Sequence, residues 1–114
     1  MVTRVYTPER GDVVWLNFTP RSGHEQAGRR PALVLSPKAY NAKTELMLCC
    51  PVTSRVKGYP FEVPMVPSSG KVGGVALSDQ VRCLDWKARE ARKFATVTAA
   101  CVTAVGAKVR LLLP

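Results

Sequence analysis

Short apolar runs, separated by prolines and glycines, are the main constraint on the fold of this chain. Nine prolines and eight glycines are distributed over 114 residues, and both residue types interrupt helices. Apolar runs of strand length between such breaks are typical of β-strands. The sequence therefore predicts several short strands joined by turns, in one domain that spans residues 1–114.

The C-terminal segment from Thr98 to Leu113 is the exception, because its apolar residues recur at helical spacing. Thr98 can cap the N-terminus of that helix, and one helix face carries Cys101, Val105, Val109 and Leu112. Several strands followed by one helix favour a mainly β protein with a C-terminal helix, arranged as a small half-open β-barrel.

The individual elements follow from the same pattern. A long loop, 19–30, follows the first strand, 37–44 forms a turn or a single helical turn, and 68–74 forms a flexible turn. The predicted strand 61–64 is restricted to a sheet edge, because Pro64 and Pro67 lack the N–H group that a central strand needs. The predicted strands are 13–18, 32–35, 45–53, 61–64, 75–77, 80–84 and 94–97.

The loop that enters the second strand carries the strongest indication of a functional site. It reads Ser22-Gly23-His24-Glu25-Gln26-Ala27-Gly28-Arg29-Arg30-Pro31. Pro31 has no N–H group, so it is expected at the first position of the strand, with Arg30 at the junction of loop and strand. Thr53 and Ser54 end the third strand. A cationic and a hydroxylic strand end can therefore converge on an anion.

The charge balance indicates the class of that anion. The chain has 17 lysines and arginines against 8 aspartates and glutamates, a net charge of +9, which favours a polyanion such as nucleic acid. The alternative is a basic surface without a specific partner. Membrane binding is disfavoured because no basic amphipathic helix precedes the last segment. Because we find neither a membrane-spanning stretch nor a signal peptide, we expect a cytoplasmic protein.

Cysteine and histidine usage argues against a metal centre. Cys49 and Cys50 are adjacent and would point to opposite faces of a strand, and neither they nor Cys83 and Cys101 form a C-x-x-C pair. His24 is the only histidine, and the few acids are scattered. We therefore expect reduced thiols, no metal and no other cofactor.

Several blocks of sequence resemble the MazF/PemK family of toxin endoribonucleases from bacterial toxin–antitoxin pairs. They are 22–36, 51–54, 57–63 and 74–81, and the likeness runs from Gly11 to Leu113. The resemblance implies a MazF/CcdB-like toxin fold, which is a half-open SH3-like barrel, and a homodimer. It also implies metal-independent cleavage of single-stranded RNA at a short motif, with ACA as the motif it offers, and inhibition by a cognate acidic antitoxin.

The family pattern also implies the catalytic residues. The arginine before the strand proline corresponds to Arg30, the hydroxyl after the third strand to Thr53, and the loop acid to Glu25. His24 departs from the family, in which many members have a small polar residue before that acid. Because histidine titrates near neutral pH, His24 is a candidate either for proton transfer or for an exposed loop position.

Metal-free RNA cleavage uses the ribose 2′-hydroxyl as nucleophile, so the protein must stabilise the charge of the phosphorane. The planar guanidinium of Arg30 suits that electrostatic role, and because a guanidinium stays protonated in proteins it is a poor acid. Thr53 can donate a hydrogen bond to a nonbridging oxygen. Glu25 is a candidate base, or an ordering partner of a neighbouring arginine.

Candidate RNA-binding residues are His24, Arg29, Phe18, Arg55, Lys57, Tyr59, Gln80, Arg82 and Arg89, with Arg92 as a further backbone contact.

Structural interpretations compete with these assignments. Arg30 could be a surface charge, Thr53 a strand cap and Glu25 a solvated loop acid, while Trp15 and Trp86 are expected in the core or a dimer interface. Two other functions also stay open: a non-catalytic RNA-binding relative, and a topoisomerase poison that shares the fold. The poison is disfavoured because such proteins act through an exposed Trp-Gly-Ile-type C-terminus, whereas this chain ends in Leu-Leu-Leu-Pro.

Overall fold

The polypeptide forms a half-open β-barrel from antiparallel strands, with a helix after the last strand. The computed structural model describes residues 6–18 and 28–113. The helices are α1 (Lys38–Thr44) and α2 (Ala99–Arg110), and the strands are β1 (Asp12–Asn17), β2 (Arg29–Val34), β3 (Leu46–Thr53), β4 (Glu62–Pro64), β5 (Pro67–Gly70), β6 (Val75–Leu77), β7 (Arg82–Asp85) and β8 (Arg92–Val97). The strand order is β4-β6-β3-β2-β1-β8-β5, with β7 paired to β3. This architecture confirms the predicted fold class.

Alternation along β1 divides the core into two clusters. Val13 belongs to one cluster, here called the helix-side cluster, and Val14 and Leu16 belong to the other, the opposite-side cluster. The division arises because successive side chains of a strand point to opposite faces of the sheet. Cys50 and Cys49 divide in the same way, which confirms the prediction for that pair. All four cysteines are free thiols, as expected.

Helix α2 covers the helix-side cluster. Thr98 caps the helix, because its Oγ1 accepts a hydrogen bond from the backbone N–H of Cys101 at 3.2 Å. The helix ends at Arg110 rather than at the expected Leu113, because the backbone N–H groups of 111–113 bond three residues back, which tightens the last turn. Leu112 is consequently 42% exposed, so its predicted place on the buried face was wrong. Neither described helix is long and apolar enough to cross a membrane.

Two predicted strand boundaries were also wrong. Strand β2 begins at Arg29, so Pro31 is its third residue rather than its first. This is tolerated because β2 pairs with β3 only from Ala32 onward, which leaves Pro31 with one neighbouring strand. Residues 68–70, expected in a flexible turn, belong to edge strand β5. The pairing of β5 with β8 includes hydroxyl contacts from two serines to Thr96.

The buried polar residue Asn41 joins α1 to the sheet through a fully paired hydrogen-bond network. Its amide nitrogen donates to the carbonyl oxygens of Pro8 at 2.9 Å and Ser36 at 3.1 Å, and its amide oxygen accepts from the Ser36 hydroxyl at 2.6 Å. Its backbone carbonyl accepts from the Trp86 indole N–H at 2.9 Å. Trp86 is buried, in agreement with the core, which is one of the two locations predicted for it.

Candidate functional site

The end of β1, the start of β2 and the end of β3 open onto one cleft of about 980 Å³. Strands β2 and β3 pair with Ala32 opposite Pro51. Arg30 and Thr53 each lie two residues beyond this pair, towards the open end of the strands, and both line the cleft. The structure therefore brings together the cationic and the hydroxylic strand ends that the sequence suggested.

The cleft is strongly cationic. Among the described residues that line it, none is acidic, and the positive charges are Arg29, Arg30, Arg55, Lys71 and Arg82. Concave surfaces that carry one sign of charge concentrate the field and attract ions of the opposite sign. An extended polyanion fits this distribution better than a single small anion does, because the cations come from several separate segments of the chain.

Thr53 is held in place by the segment that precedes β6. Gly74 has a φ of +79°, and a Cβ at this position would overlap the Thr53 carbonyl oxygen. Glycine is therefore required at this close approach. The Thr53 hydroxyl oxygen accepts a hydrogen bond from the backbone N–H of Arg55 at 3.1 Å. Since a hydroxyl can accept and donate at once, its proton can be given to a ligand in the cleft.

Two of the predicted RNA-binding arginines bond to the protein itself. The Arg29 guanidinium donates to the Asn17 side-chain oxygen at 2.9 Å and to the Glu90 carbonyl at 3.1 Å. Arg89 donates to the backbone carbonyls of Asn17 and Phe18, each at 3.1 Å. These bonds fix the ends of β1 and β2. Arg29 still lines the cleft, whereas Arg89 does not.

Aromatic side chains line the cleft beside the cations. The Arg82 guanidinium lies over the Phe18 ring, 5.7 Å from its centroid. Trp15 stacks on Phe94 with ring centroids 4.8 Å apart and an angle of 26° between the planes. Trp15 is 37% exposed, unlike the buried Trp86, so it lies at the cleft and not within the core of this chain.

The remaining candidates are placed elsewhere or are not described. Lys57 and Tyr59 are exposed residues outside the cleft lining, where the Lys57 ammonium lies 5.7 Å from the Tyr59 ring centroid. Arg92 is exposed at the start of β8. His24 and Glu25 lie outside the described residues. Gln80, by contrast, lines the cleft together with Arg55.

The two thiols of β3 are buried, and the described ranges contain no cluster of metal-ligating side chains. Burial raises the pKa of Cys49 and of Cys50 to about 12, so both remain neutral thiols near pH 7. No group of three or more histidine, cysteine, aspartate or glutamate side chains gathers in the part of the chain that the structure describes. The chemistry of the described cleft therefore depends on guanidinium, ammonium, hydroxyl and aromatic groups.

Sequence reasoning did not identify several residues of this cleft. Trp15 was assigned to the core or an interface, and Lys71 was assigned to a flexible turn. Alternation along β1 does place Trp15 at an exposed position, so Trp15 could have been considered as a site residue. Phe94 carried no signal, because its approach to Trp15 depends on a long-range strand pairing. The cleft residues that the prediction missed are Trp15, Pro51, Val52, Lys71, Val72, Gly73, Gly74 and Phe94.

Comparisons with known proteins agree with this geometry. The family model of the PemK-like, MazF-like toxin of type II toxin–antitoxin systems matches residues 9–113. Endoribonuclease toxin MazF of Escherichia coli (strain K12) is 50% identical over 113 residues, 99% of each chain. The crystal structure of Deinococcus radiodurans MazF is 56% identical, with a TM-score of 0.83 and coverage of 96% of this chain and 98% of that one. A MazE-MazF crystal structure from the same organism is 51% identical, with a TM-score of 0.82 and coverage of 96% and 97%. The chain belongs to the PemK-like, MazF-like toxin family of type II toxin–antitoxin systems.

Proposed function

We propose that this chain is a sequence-specific endoribonuclease toxin that cleaves single-stranded RNA without a metal ion. The observation that carries the proposal is that Arg30 and Thr53 line one cleft whose described charges are all positive. The relatives that are named endoribonucleases match nearly the whole chain, which supports the same reaction here.

The proposed reaction is an internal transesterification. The 2′-oxygen of a ribose attacks the adjacent phosphorus, the bond from phosphorus to the 5′-oxygen breaks, and the products are a 2′,3′-cyclic phosphate and a 5′-hydroxyl. Arg30 stabilises the added negative charge of the phosphorane through two parallel hydrogen bonds. Thr53 donates one further hydrogen bond to a nonbridging oxygen, a contribution that strengthens as the charge develops.

Proton transfer requires groups other than these two. Guanidinium is a poor acid near neutral pH, and a threonine hydroxyl is a poor base. Glu25 is the proposed base that accepts the 2′-hydroxyl proton, with ordering of a neighbouring arginine as its alternative role. His24 titrates in the right range to share this work or to protonate the leaving 5′-oxygen. Both roles are carried by residues of the loop between β1 and β2.

Recognition of the RNA uses unpaired bases, because single strands expose both their ring faces and their base edges. Phe18 with Arg82 supplies one stacking surface, and Gln80 and Arg55 supply groups that hydrogen-bond to base edges or phosphates. We propose a short recognition motif that contains ACA. Lys57, Tyr59 and Arg89 lie outside the described cleft lining, so we propose only peripheral contacts for them.

Control by an antitoxin follows from the same electrostatics. Deinococcus radiodurans MazF has been crystallised as MazE-MazF, and we propose a cognate antitoxin with an acidic tail for this chain. The tail would occupy the cationic cleft and compete with RNA. We also propose a homodimer, in which the exposed apolar residues Leu111 and Leu113 contribute to contacts between two copies.

The test is cleavage of a long single-stranded RNA in excess EDTA, followed by mapping of the new ends. We expect cuts at ACA-containing sites, with 5′-hydroxyl and 2′,3′-cyclic phosphate ends. The Arg30→Ala protein, purified in parallel, controls for contaminating nucleases. Arg10→Ala is the matched control, because Arg10 is exposed and lies outside the cleft lining.

Different failures point to different alternatives. Loss of cleavage in EDTA that Mg²⁺ restores contradicts the metal-free mechanism. RNA binding without cleavage favours the non-catalytic relative. Absence of both, with inhibition of a topoisomerase, favours the poison.

A further inference from the structure

Trp15 and Phe94 form an aromatic surface that the proposed catalytic steps do not use. Their rings are stacked, with centroids 4.8 Å apart, and both residues line the cleft. Large apolar side chains at 37% exposure, as Trp15 is, are the usual anchors of ligand sites. The other tryptophan differs, since Trp86 is 5% exposed and its indole N–H is bonded within the core.

A β-bulge produces the Trp15–Phe94 contact. Strand β8 pairs with β1 through Ala95 opposite Val13 and Lys93 opposite Val14, so Phe94 is an extra residue between two paired positions. Bulges of this kind redirect one side chain and are found near functional sites. Phe94 supports one face of the indole, which restricts the rotation of Trp15 before any ligand arrives. Such preorganisation lowers the entropic cost of binding.

The aromatic pair lies on the other side of β1 from Phe18. Trp15 and Val13 are two residues apart, so they share one face of the strand, whereas Phe18 packs against the opposite-side cluster. The Trp15–Phe94 pair and the Phe18–Arg82 pair therefore lie on opposite faces of β1, and both pairs line the cleft that holds Arg30 and Thr53.

We infer that the Trp15–Phe94 pair is a nucleobase-binding subsite, in which the indole stacks on one unpaired base of single-stranded RNA next to the bound phosphate. The inference rests on the proposed function and adds a named recognition surface to it. RNA is the favoured occupant because the described cleft charges are all cationic, and because aromatic faces and positive grooves together are the usual means of binding single strands. An aromatic or aliphatic side chain of an antitoxin peptide is the competing occupant.

Trp15 fluorescence tests the contact directly. The probe is a single-stranded oligonucleotide that contains ACA and lacks every 2′-hydroxyl, so that it binds without being cleaved. We expect it to quench the Trp15 emission and to protect Trp15 from acrylamide. Wild-type protein suffices, because buried Trp86 contributes a constant background, and Trp86→Phe isolates the Trp15 signal where it folds. An unchanged emission at saturating oligonucleotide overturns the inference.

A binding cycle with abasic oligonucleotides tests stacking against simple proximity. Trp15→Leu should weaken binding of the intact oligonucleotide by roughly 5- to 100-fold, the range of base–aromatic stacking. Removing the one stacked base should weaken wild-type binding by a similar factor and Trp15→Leu binding much less. Trp15→Tyr, which keeps a smaller ring beside Phe94, and Phe94→Leu, which keeps the indole without its stacked partner, should fall between. Tyr40→Leu is the matched control, because Tyr40 is 41% exposed on α1 and does not line the cleft.

The outcomes separate this inference from the proposed function. If wild-type protein cleaves RNA, while Trp15→Leu and Tyr40→Leu bind and cleave alike, only the subsite is wrong. If each abasic substitution lowers the binding affinity of Trp15→Leu as much as that of the wild type, stacking on Trp15 is likewise refuted. Quenching by an acidic peptide but not by the oligonucleotide reassigns the surface to the peptide and overturns the inference. If wild-type protein neither binds nor cleaves RNA, the proposed function fails first.

Discussion

Polar groups are arranged in opposite ways around Asn41 and around Arg30. Asn41 is completely buried, and its side-chain amide makes three hydrogen bonds of 2.6–3.1 Å. Arg30 is exposed and shares a cleft with four other cations. Buried polar groups that are fully paired stabilise one conformation, whereas neighbouring like charges destabilise the folded state unless a ligand neutralises them. The comparison separates a region built for stability from a region built for binding.

Substitution of Arg30 should change the cleavage rate more than any other substitution considered for these two regions. Arg30→Ala should lower the cleavage rate by about 10²–10³-fold or more, because it removes the charged donor that stabilises the phosphorane. The free energy of unfolding should stay the same or rise slightly, because a repulsive charge is lost. Arg30→Lys should recover little activity, since an ammonium cannot form two parallel bonds. Cleavage assays and urea unfolding measure the two quantities, and a stable, fully active Arg30→Ala contradicts the assignment.

Asn41 should show the reverse behaviour. Asn41→Leu leaves the Pro8 carbonyl and the Ser36 groups without their partners, so the free energy of unfolding should fall by about 2–4 kcal/mol. Activity per folded molecule should stay within a factor of about two, because the network does not touch the cleft. Urea unfolding combined with active-site titration checks both. Thr44→Ala, which removes an exposed hydroxyl bonded to the Tyr40 carbonyl and to the backbone of Leu46, is the control and should cost under about 1 kcal/mol.

The fold was largely predictable because it follows local patterns. Short apolar runs between breaks identified the strands around Val13, Leu33 and Cys50, and helical spacing with a threonine cap identified α2. Local patterns do not report pairing partners, however. Strand β5 was missed because Ser68 and Ser69 are poor strand formers that become ordered only through pairing with β8.

The candidate site was predictable to a smaller extent. Arg30 could be located because it precedes the proline at the start of the second predicted strand. Thr53 could be located because it ends the third predicted strand. Tyr59 lies outside the cleft lining, in a loop held by Glu62, whose carboxylate accepts hydrogen bonds from the backbone N–H groups of Lys57 at 3.0 Å and Gly58 at 2.9 Å. Such bonds between a loop and a later strand cannot be read from spacing alone.

Alkaline pH should weaken the core through the buried thiols of β3. The pKa of Cys49 and of Cys50 is about 12 in the folded chain, against 9.0 for an exposed thiol. The unfolded chain therefore loses these protons first as the pH rises, so the stabilisation is complete below pH 9 and is lost progressively towards pH 12. At pH 10 the expected loss is about 1 kcal/mol per thiol.

Urea unfolding between pH 8 and 11 in a reducing buffer measures this loss. Cys49→Ala and Cys50→Ala should be less stable at pH 8 because of the cavity, but their stability should fall less steeply with pH than that of the wild type. Val34→Ala creates a comparable cavity without removing a thiol, so its slope should match the wild type. Equal slopes in all four proteins would show that the buried thiols do not govern alkaline stability.

The salt dependence of RNA affinity tests whether the cleft cations act together on a polyanion, and here the expected change is small. Each phosphate contact to single-stranded RNA contributes about −0.7 to the slope of log affinity against log salt. Lys71→Gln should therefore make that slope less negative by about 0.7, with an affinity loss that is largest at low salt and that is shared by all RNA sequences. Lys43→Gln, at the exposed end of α1, removes the same charge outside the cleft and should leave the slope within error of the wild type. Equal slopes for Lys71→Gln and Lys43→Gln would mean that Lys71 contributes only to the general field of the chain, and the cationic cleft would then be smaller than its lining suggests.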